Sequence, residues 1–319
     1  MNLPMIRDFI AKNIVFLGFA VMFIFFALAN ESFIKWDNML DILLRMCITA
    51  PVAYGVMLSL IVKGIDLSCG TIMGLVGLTI AGGISSGMSL GLSLFLAIII
   101  GAAIGVVNAF LIAKANMNPF IATISILFIG NSIEKVATKG GLPIYLYPLP
   151  KALDYAYRGT VLGVPFPIIA LLAITVLLWI FLESTIFGRK MYASGDGIKA
   201  SRTSGIPVRF YYGFAYFISA MCAVISGIFL CSQVRSGQPL VGHSYIWDAI
   251  GAAYLSTIVS RRRFRPNVLG ALFGTFVMSV VANGFTLMGT AFYWKEFAKG
   301  VVILLILILS VIKRKYQRG

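Results

Sequence analysis

Phe187-Gly188-Arg189-Lys190-Met191-Tyr192-Ala193-Ser194-Gly195-Asp196-Gly197-Ile198-Lys199-Ala200-Ser201-Arg202-Thr203-Ser204-Gly205-Ile206-Pro207-Val208-Arg209 is a charged island between two long apolar runs. It holds five Lys/Arg against one Asp, with small residues at Ala200, Ser201, Thr203 and Ser204. Such a stretch does not suit a hydrocarbon core, where every exposed backbone group needs a partner. It is too short for a domain and too charged for a turn inside a bundle. The reading that follows is a cytoplasmic loop of short helical pieces joining membrane-crossing helices. The residues alone leave two uses open. One is a surface on which another protein docks, and the other is a solvated loop whose basic residues only fix orientation.

Composition agrees with that frame. The chain has 319 residues, 60% hydrophobic and 12% charged, with a mean hydropathy of +0.96. A soluble domain carries about a quarter charged residues. An all-α polytopic membrane protein is expected, with residues 1–319 forming a single transmembrane domain in the lipid bilayer. The net charge of +15 belongs to cytoplasmic loops in such a protein, so no nucleic-acid partner is expected. Cys47, Cys69, Cys222 and Cys231 lie in or beside apolar segments without metal-ligand spacing. His243, the one histidine, cannot build a His-based metal site by itself.

A spanning helix needs about 20 apolar residues. That rule gives ten spans, near 13–29, 39–62, 70–86, 91–113, 118–136, 165–186, 210–232, 243–259, 267–289 and 295–312. Ala27-Leu28-Ala29 resembles a signal-peptidase site, but the long apolar run and the spans after it favour a retained anchor. Pro51 is expected to interrupt the second span, and Arg45 lies within it. With both termini inside, seventeen Lys/Arg fall on the inner side and seven on the outer side. The positive-inside rule then gives N-in, C-in and a cytoplasmic island. Five spans precede the polar loop at about 138–164 and five follow it, an arrangement compatible with an inverted 5+5 repeat.

Within this frame, Gly64-Ile65-Asp66-Leu67-Ser68-Cys69-Gly70 is the sharpest short motif. Gly64 and Gly70 let the backbone leave the helix, and Asp66 or Ser68 can cap the free N–H groups of the third span. A helix break closed by its cap and a direct substrate or gating role are both open. Asp248, beside Trp247 in the eighth span, is an ionisable group at membrane depth. Such groups are expensive and usually face an interior or a water-filled path. Lys299 and Arg45 either pair with an acid or snorkel. Thr123, Asn131 and Asn283 are polar positions expected to bond between helices. Thr123, Asn131, Trp247 and Asp248 are the candidate pathway residues. Gly101 with Gly105, and Gly270 with Gly274, mark close-packing faces. Gly is nowhere followed by Lys, so there is no Walker A loop. Any ATP hydrolysis must come from another chain.

Several stretches resemble one family in order. Lys63–Gly70 followed by Ile72-Met73-Gly74-Leu75 resembles the Gly-Ile-Asp-Leu-Ser-x-Gly signature of bacterial ABC sugar-importer permeases of the ribose/xylose/galactofuranose group. Asn118-Pro119-Phe120-Ile121-Ala122-Thr123 is similar to the Pro-Phe-Ile-Ala-Thr element of that family. Phe187-Gly188-Arg189, Tyr192-Ala193-Ser194-Gly195 and Ala200–Ile206 resemble its coupling loop, with Ser201 in place of an alanine. Asp248-Ala249-Ile250 and Lys299–Leu305 resemble later elements. In one departure, the segment 255–264 lacks the glycines usual after Asp-Ala-Ile, which suggests a divergent member.

The resemblance implies a core of two permeases, either two copies or this chain with a paralogue, in a bacterial inner membrane. It also implies an ABC ATPase subunit and an extracytoplasmic solute-binding protein. This chain would bind no cofactor, and ATP and Mg would reside on the ATPase. The loop at about 188–209 would receive the motion of the ATPase, with Gly188, Arg189, Ala200, Ser201, Arg202 and Gly205 as coupling residues. The expected solute is a monosaccharide or sugar-like molecule. Nucleosides, autoinducer-2 and branched-chain amino acids are close alternatives. An ion-coupled secondary transporter would need an embedded acid, for which Asp66, Asp248 and Glu183 are the candidates. A membrane-bound enzyme lacks any clustered catalytic group.

Overall fold

A computed structural model describes residues 3–259 and 265–316. The basic cluster Arg261–Arg263 and part of the glycine-free 255–264 segment lie outside the described residues. Helices dominate, and ten of them coincide with the ten expected spans. These are α1 (Leu3–Ala29), α2 (Trp36–Ile61), α3 (Cys69–Ser85), α4 (Leu90–Ala109), α5 (Pro119–Ala137), α7 (Phe166–Trp179), α10 (Val208–Val234), α11 (Gly242–Val259), α12 (Val268–Leu287) and α13 (Phe292–Tyr316). Single π-helical turns extend α4 through Lys114 and α7 through Ser184. With those extensions, six helices among the described residues are long and apolar enough to cross a membrane, namely α2, α4, α5, α7, α10 and α12. Pro51 does not interrupt α2, which runs unbroken through it. Neighbouring helices in a membrane protein can satisfy the groups that a proline frees.

The chain forms two compact units, 47–250 and the remainder, 1–46 with 251–319. In the 47–250 unit, α3 is central. Its seventeen residues span about 25 Å, less than the roughly 30 Å hydrocarbon thickness. Twelve of them are buried, because α4, α5 and α10 surround the helix. Gly101 and Gly105 bring α4 close to Val224 and Ala220 of α10, the packing expected of them. The segment 138–165 closes one end of this unit. Its strand β1 (Ile144–Tyr145) pairs antiparallel with β2 (Ser236–Gly237). Arg158, ending the short α6 (Lys151–Arg158), donates to the Ser232 and Gln233 carbonyls at 3.0 and 2.8 Å. That guanidinium neutralises carbonyls left open at the C-terminal end of α10.

In the other unit, Phe26, Phe33, Ile42 and Val280 form a core under Phe19, Phe276 and Phe285. Gly270 and Gly274 of α12 pack on Ser256 and Ala252 of α11. Asn283 donates to Asn38 at 2.8 Å. Lys299 is buried and pairs with Glu296 one turn earlier at 3.3 Å, one of the two outcomes expected for it.

Candidate functional site

Two features of the 47–250 unit bear on function, the break between α2 and α3 and the island that packs on it. The chain leaves α2 in a left-handed turn at Lys63, with φ 61°, and not at a glycine. Gly64 is required for space instead. A Cβ there would overlap the Tyr216 hydroxyl of α10. Asp66, fully buried, accepts from the Ser68 N–H at 2.9 Å and from the Ser68 hydroxyl at 2.6 Å. Asp66 holds the Ser68 N–H one residue ahead of α3, and the Ser68 hydroxyl is spent on the carboxylate, so Ser68 makes no side-chain cap bond. The Asn108 amide of α4 donates to Ser68 Oγ at 2.8 Å, and Cys69 Sγ lies 3.2 Å from Ser219 Oγ of α10. Thr123 of α5 donates to the Ile65 carbonyl at 3.2 Å. Gly70 sits inside α3 with room for a Cβ, whereas a Cβ on Gly242 would overlap the Gly70 carbonyl. The break is therefore a polar knot shared by α3, α4, α5 and α10, and Thr123 belongs to it.

The island forms two short helices, α8 (Ile186–Asp196) and α9 (Ile198–Thr203). Thr185 caps α8, its hydroxyl accepting from the Gly188 N–H at 3.1 Å. Phe187 anchors the pair, its ring centroid 4.7 Å from Phe214 and 4.8 Å from Tyr211 of α10. Gly195 is pressed against the end of α2, where a Cβ would overlap the Ile61 carbonyl oxygen. Lys63 and Asp196 add an exposed pair at 4.0 Å, a geometry worth at most about 1 kcal/mol. The buried Ser201 hydroxyl donates to the Ala193 carbonyl at 2.8 Å, tying α9 to α8. Gly205, at φ +73°, closes α9 by letting the Ile206 N–H reach the Ser201 carbonyl at 2.9 Å. Of the six expected coupling residues, Gly188 and Ser201 face inward, while Arg189, Ala200, Arg202 and Gly205 are exposed.

Of the pathway candidates, Thr123 and Asn131 lie on α5, and Trp247 and Asp248 on α11. Eight residues along α5 from Thr123, about 12 Å, half-buried Asn131 meets His243 Nε2 at 3.1 Å. Trp247 is half exposed and its neighbour Asp248 is buried. Glu134, an acid within the 118–136 span, is not among the candidates drawn from the sequence. It is fully buried, accepting from Thr71 Oγ1 of α3 at 2.7 Å and from the Leu240 N–H at 2.5 Å. The cost of a carboxylate at that depth was the signal that should have marked it. Asn108 was missed as well. Glu183, a candidate embedded acid, lies exposed in the last turn of the α7 extension.

A family model described as branched-chain amino acid transport system / permease component matches residues 38–310. The chain belongs to this permease family. The ribose import permease protein RbsC of Bacillus subtilis (strain 168) is 35% identical over 92% of this permease and 91% of its own length. The ribose import permease protein RbsC of Escherichia coli K12 is 29% identical over 88% of each chain. The galactofuranose transporter permease protein YtfT of the same strain is 28% identical over 85% of this permease and 79% of its own length. No solved structure matches. The matched region contains both the polar knot and the island, so both are parts of a multi-pass membrane permease.

Proposed function

We propose that this permease is the membrane subunit of an ATP-driven ABC importer that moves a monosaccharide or sugar-like solute into a bacterial cytoplasm. Full-length relatives named for ribose and galactofuranose favour a sugar over the branched-chain amino acids in the family description. Nucleosides and autoinducer-2 are further solute alternatives. The single observation behind the mechanism is the division of the island into a seated face and a free face. Arg189, Lys199, Ala200, Arg202 and Thr203 are exposed on two helices whose inward residues are fixed to α2 and α10.

In this reading an ABC ATPase seats on the free face, where Ala200 allows close approach and the guanidinium groups pair with acids of the partner. ATP and Mg belong to the ATPase, and no cofactor belongs to this chain. Movement of the ATPase displaces α8 and α9, and through Gly195 and Phe187 the displacement reaches α2 and α10. ATP binding thereby favours one arrangement of the helices through contacts that differ between states. Residues 1–319 then act as one transmembrane domain with ten spans, N-in and C-in, with the inverted 5+5 arrangement as its symmetry. The complete importer adds a second permease, identical or paralogous, and an extracytoplasmic solute-binding protein.

The test is uptake of labelled ribose into proteoliposomes containing the chain, its ATPase and its binding protein. Uptake is expected only with ATP inside the compartment that holds the island. Uptake driven by an ion gradient without the ATPase would overturn the reading and return the embedded acids Asp66, Glu134 and Asp248 to the front.

A further inference from the structure

A groove of about 180 Å³ opens where the connection from α4 to α5 meets the start of α9 and the N-terminal end of α10. Its polar lining is Asn116, Arg202, Arg209 and Tyr212, and Ile112 and Met117 contribute to its apolar wall. No carboxylate is among the residues that line it. Ala113, Pro119, Ile198 and Val208 complete the apolar wall, and Met117 and Ile198 are 40% and 43% exposed. Lys114, on the same connection, holds its ammonium 5.4 Å from the Phe110 ring centroid. No side chain caps the start of α10 at Pro207, so the helix end adds partial positive charge.

The geometry points to a binding site for one anionic phospholipid. Arg202 and Arg209 would hold the headgroup phosphate, which a planar guanidinium matches through paired N–H groups. The Tyr212 hydroxyl and the Asn116 amide would donate to its remaining oxygens, and the acyl chains would lie along Met117, Ile198 and the rest of the apolar wall. A basic pocket between helices beside an anionic leaflet is the setting in which such headgroups are retained. The apolar wall decides between lipid and free phosphate, since a free anion has nothing to bury against Ile112, Met117 and Ile198. The inference rests on the inner-side placement of the island and not on the identity of the solute. Arg202 also belongs to the face proposed for the ATPase, so Arg209 carries the test.

The full chain is purified in neutral detergent and supplied with phosphatidylglycerol or phosphatidylcholine, and bound lipid is counted by native mass spectrometry. Wild type is expected to retain phosphatidylglycerol and not phosphatidylcholine. Arg209→Gln should lower that retention at least about tenfold, the loss expected for one charge-assisted contact. Arg209→Lys should retain more than Arg209→Gln, and Tyr212→Phe should fall between wild type and Arg209→Gln. Association with the ATPase should be unchanged in Arg209→Gln. Equal phosphatidylglycerol retention in wild type and Arg209→Gln would overturn the site. Displacement of the lipid by inorganic phosphate at equal concentration would make it a free-anion site instead. Lost ATPase association with lipid retention intact would assign the groove to the ATPase.

Discussion

The inward and outward faces of the α8–α9 pair carry similar small and polar residues to different ends. Inward, Gly188, Met191, Tyr192, Ser194, Gly195 and Ser201 are buried, and the close approach of Gly195 to Ile61 and the Ser201 bond to Ala193 fix the two helices. Outward, Arg189, Lys199, Ala200, Arg202 and Thr203 are exposed, and none of the ion pairs described above involves them. In the resemblance these residues formed one coupling element. The structure divides it into a platform and a surface. Substitutions on the two faces should therefore fail in different assays, stability for the platform and association for the surface.

The largest effect is expected for Gly195→Ala on the seated face. The added Cβ meets the Ile61 carbonyl oxygen, so backbone must shift, and overpacking of this kind costs about 1–3 kcal/mol. Thermal unfolding of the detergent-solubilised chain should show the loss, and an unchanged midpoint would mean that α8 does not seat on α2. Gly205→Leu comes next. A left-handed L-residue costs roughly 1–2 kcal/mol, and the α9 closure at φ +73° depends on it. The variant should insert and leave ATP hydrolysis uncoupled from transport, read by measuring both in one proteoliposome preparation. Normal uptake would break the assignment of Gly205 to coupling.

Ser201→Ala removes one buried hydrogen bond, worth about 0.5–1.5 kcal/mol net. Faster amide exchange confined to α8 and α9 should accompany it, and exchange identical to wild type would show that Ser201 does not tie the two helices. The smallest stability change belongs to Arg202→Glu, an exposed position where about 0.5 kcal/mol in either direction is expected. Its effect should appear in association alone.

How much of this was legible in the sequence depends on the range of the interaction. The ten helices were, because each is a long apolar run bounded by polar or glycine-containing breaks. The Gly64–Gly70 break was legible too, since Asp66 bonds to Ser68 two residues away. Glu134 was not, because its partners Thr71 and Leu240 are 63 and 106 residues distant. Nor could apolarity separate α3 from α4. Both are apolar nearly all round, yet twelve of the seventeen residues of α3 are buried and only five of the twenty of α4. A side chain facing lipid and one facing protein obey the same preference, so the pattern does not distinguish them. The division of the island was hidden for a related reason. Ala200 and Ser201 are both small, and only the position of Ala193 decides which of them turns inward.

The central claim is that the free face of the island receives an ATPase. The most direct measurement is a mild-detergent pull-down of the tagged full chain, wild type beside Arg202→Glu, with partners identified by mass spectrometry at low and high salt. The account predicts an ABC ATPase subunit with wild type at low salt, and a marked reduction with Arg202→Glu that narrows as salt screens both. A second permease in the same eluate would identify the pair as heteromeric. Absence of any ATPase under conditions that keep a known ABC complex intact would contradict the account, as would equal recovery by both chains at low salt.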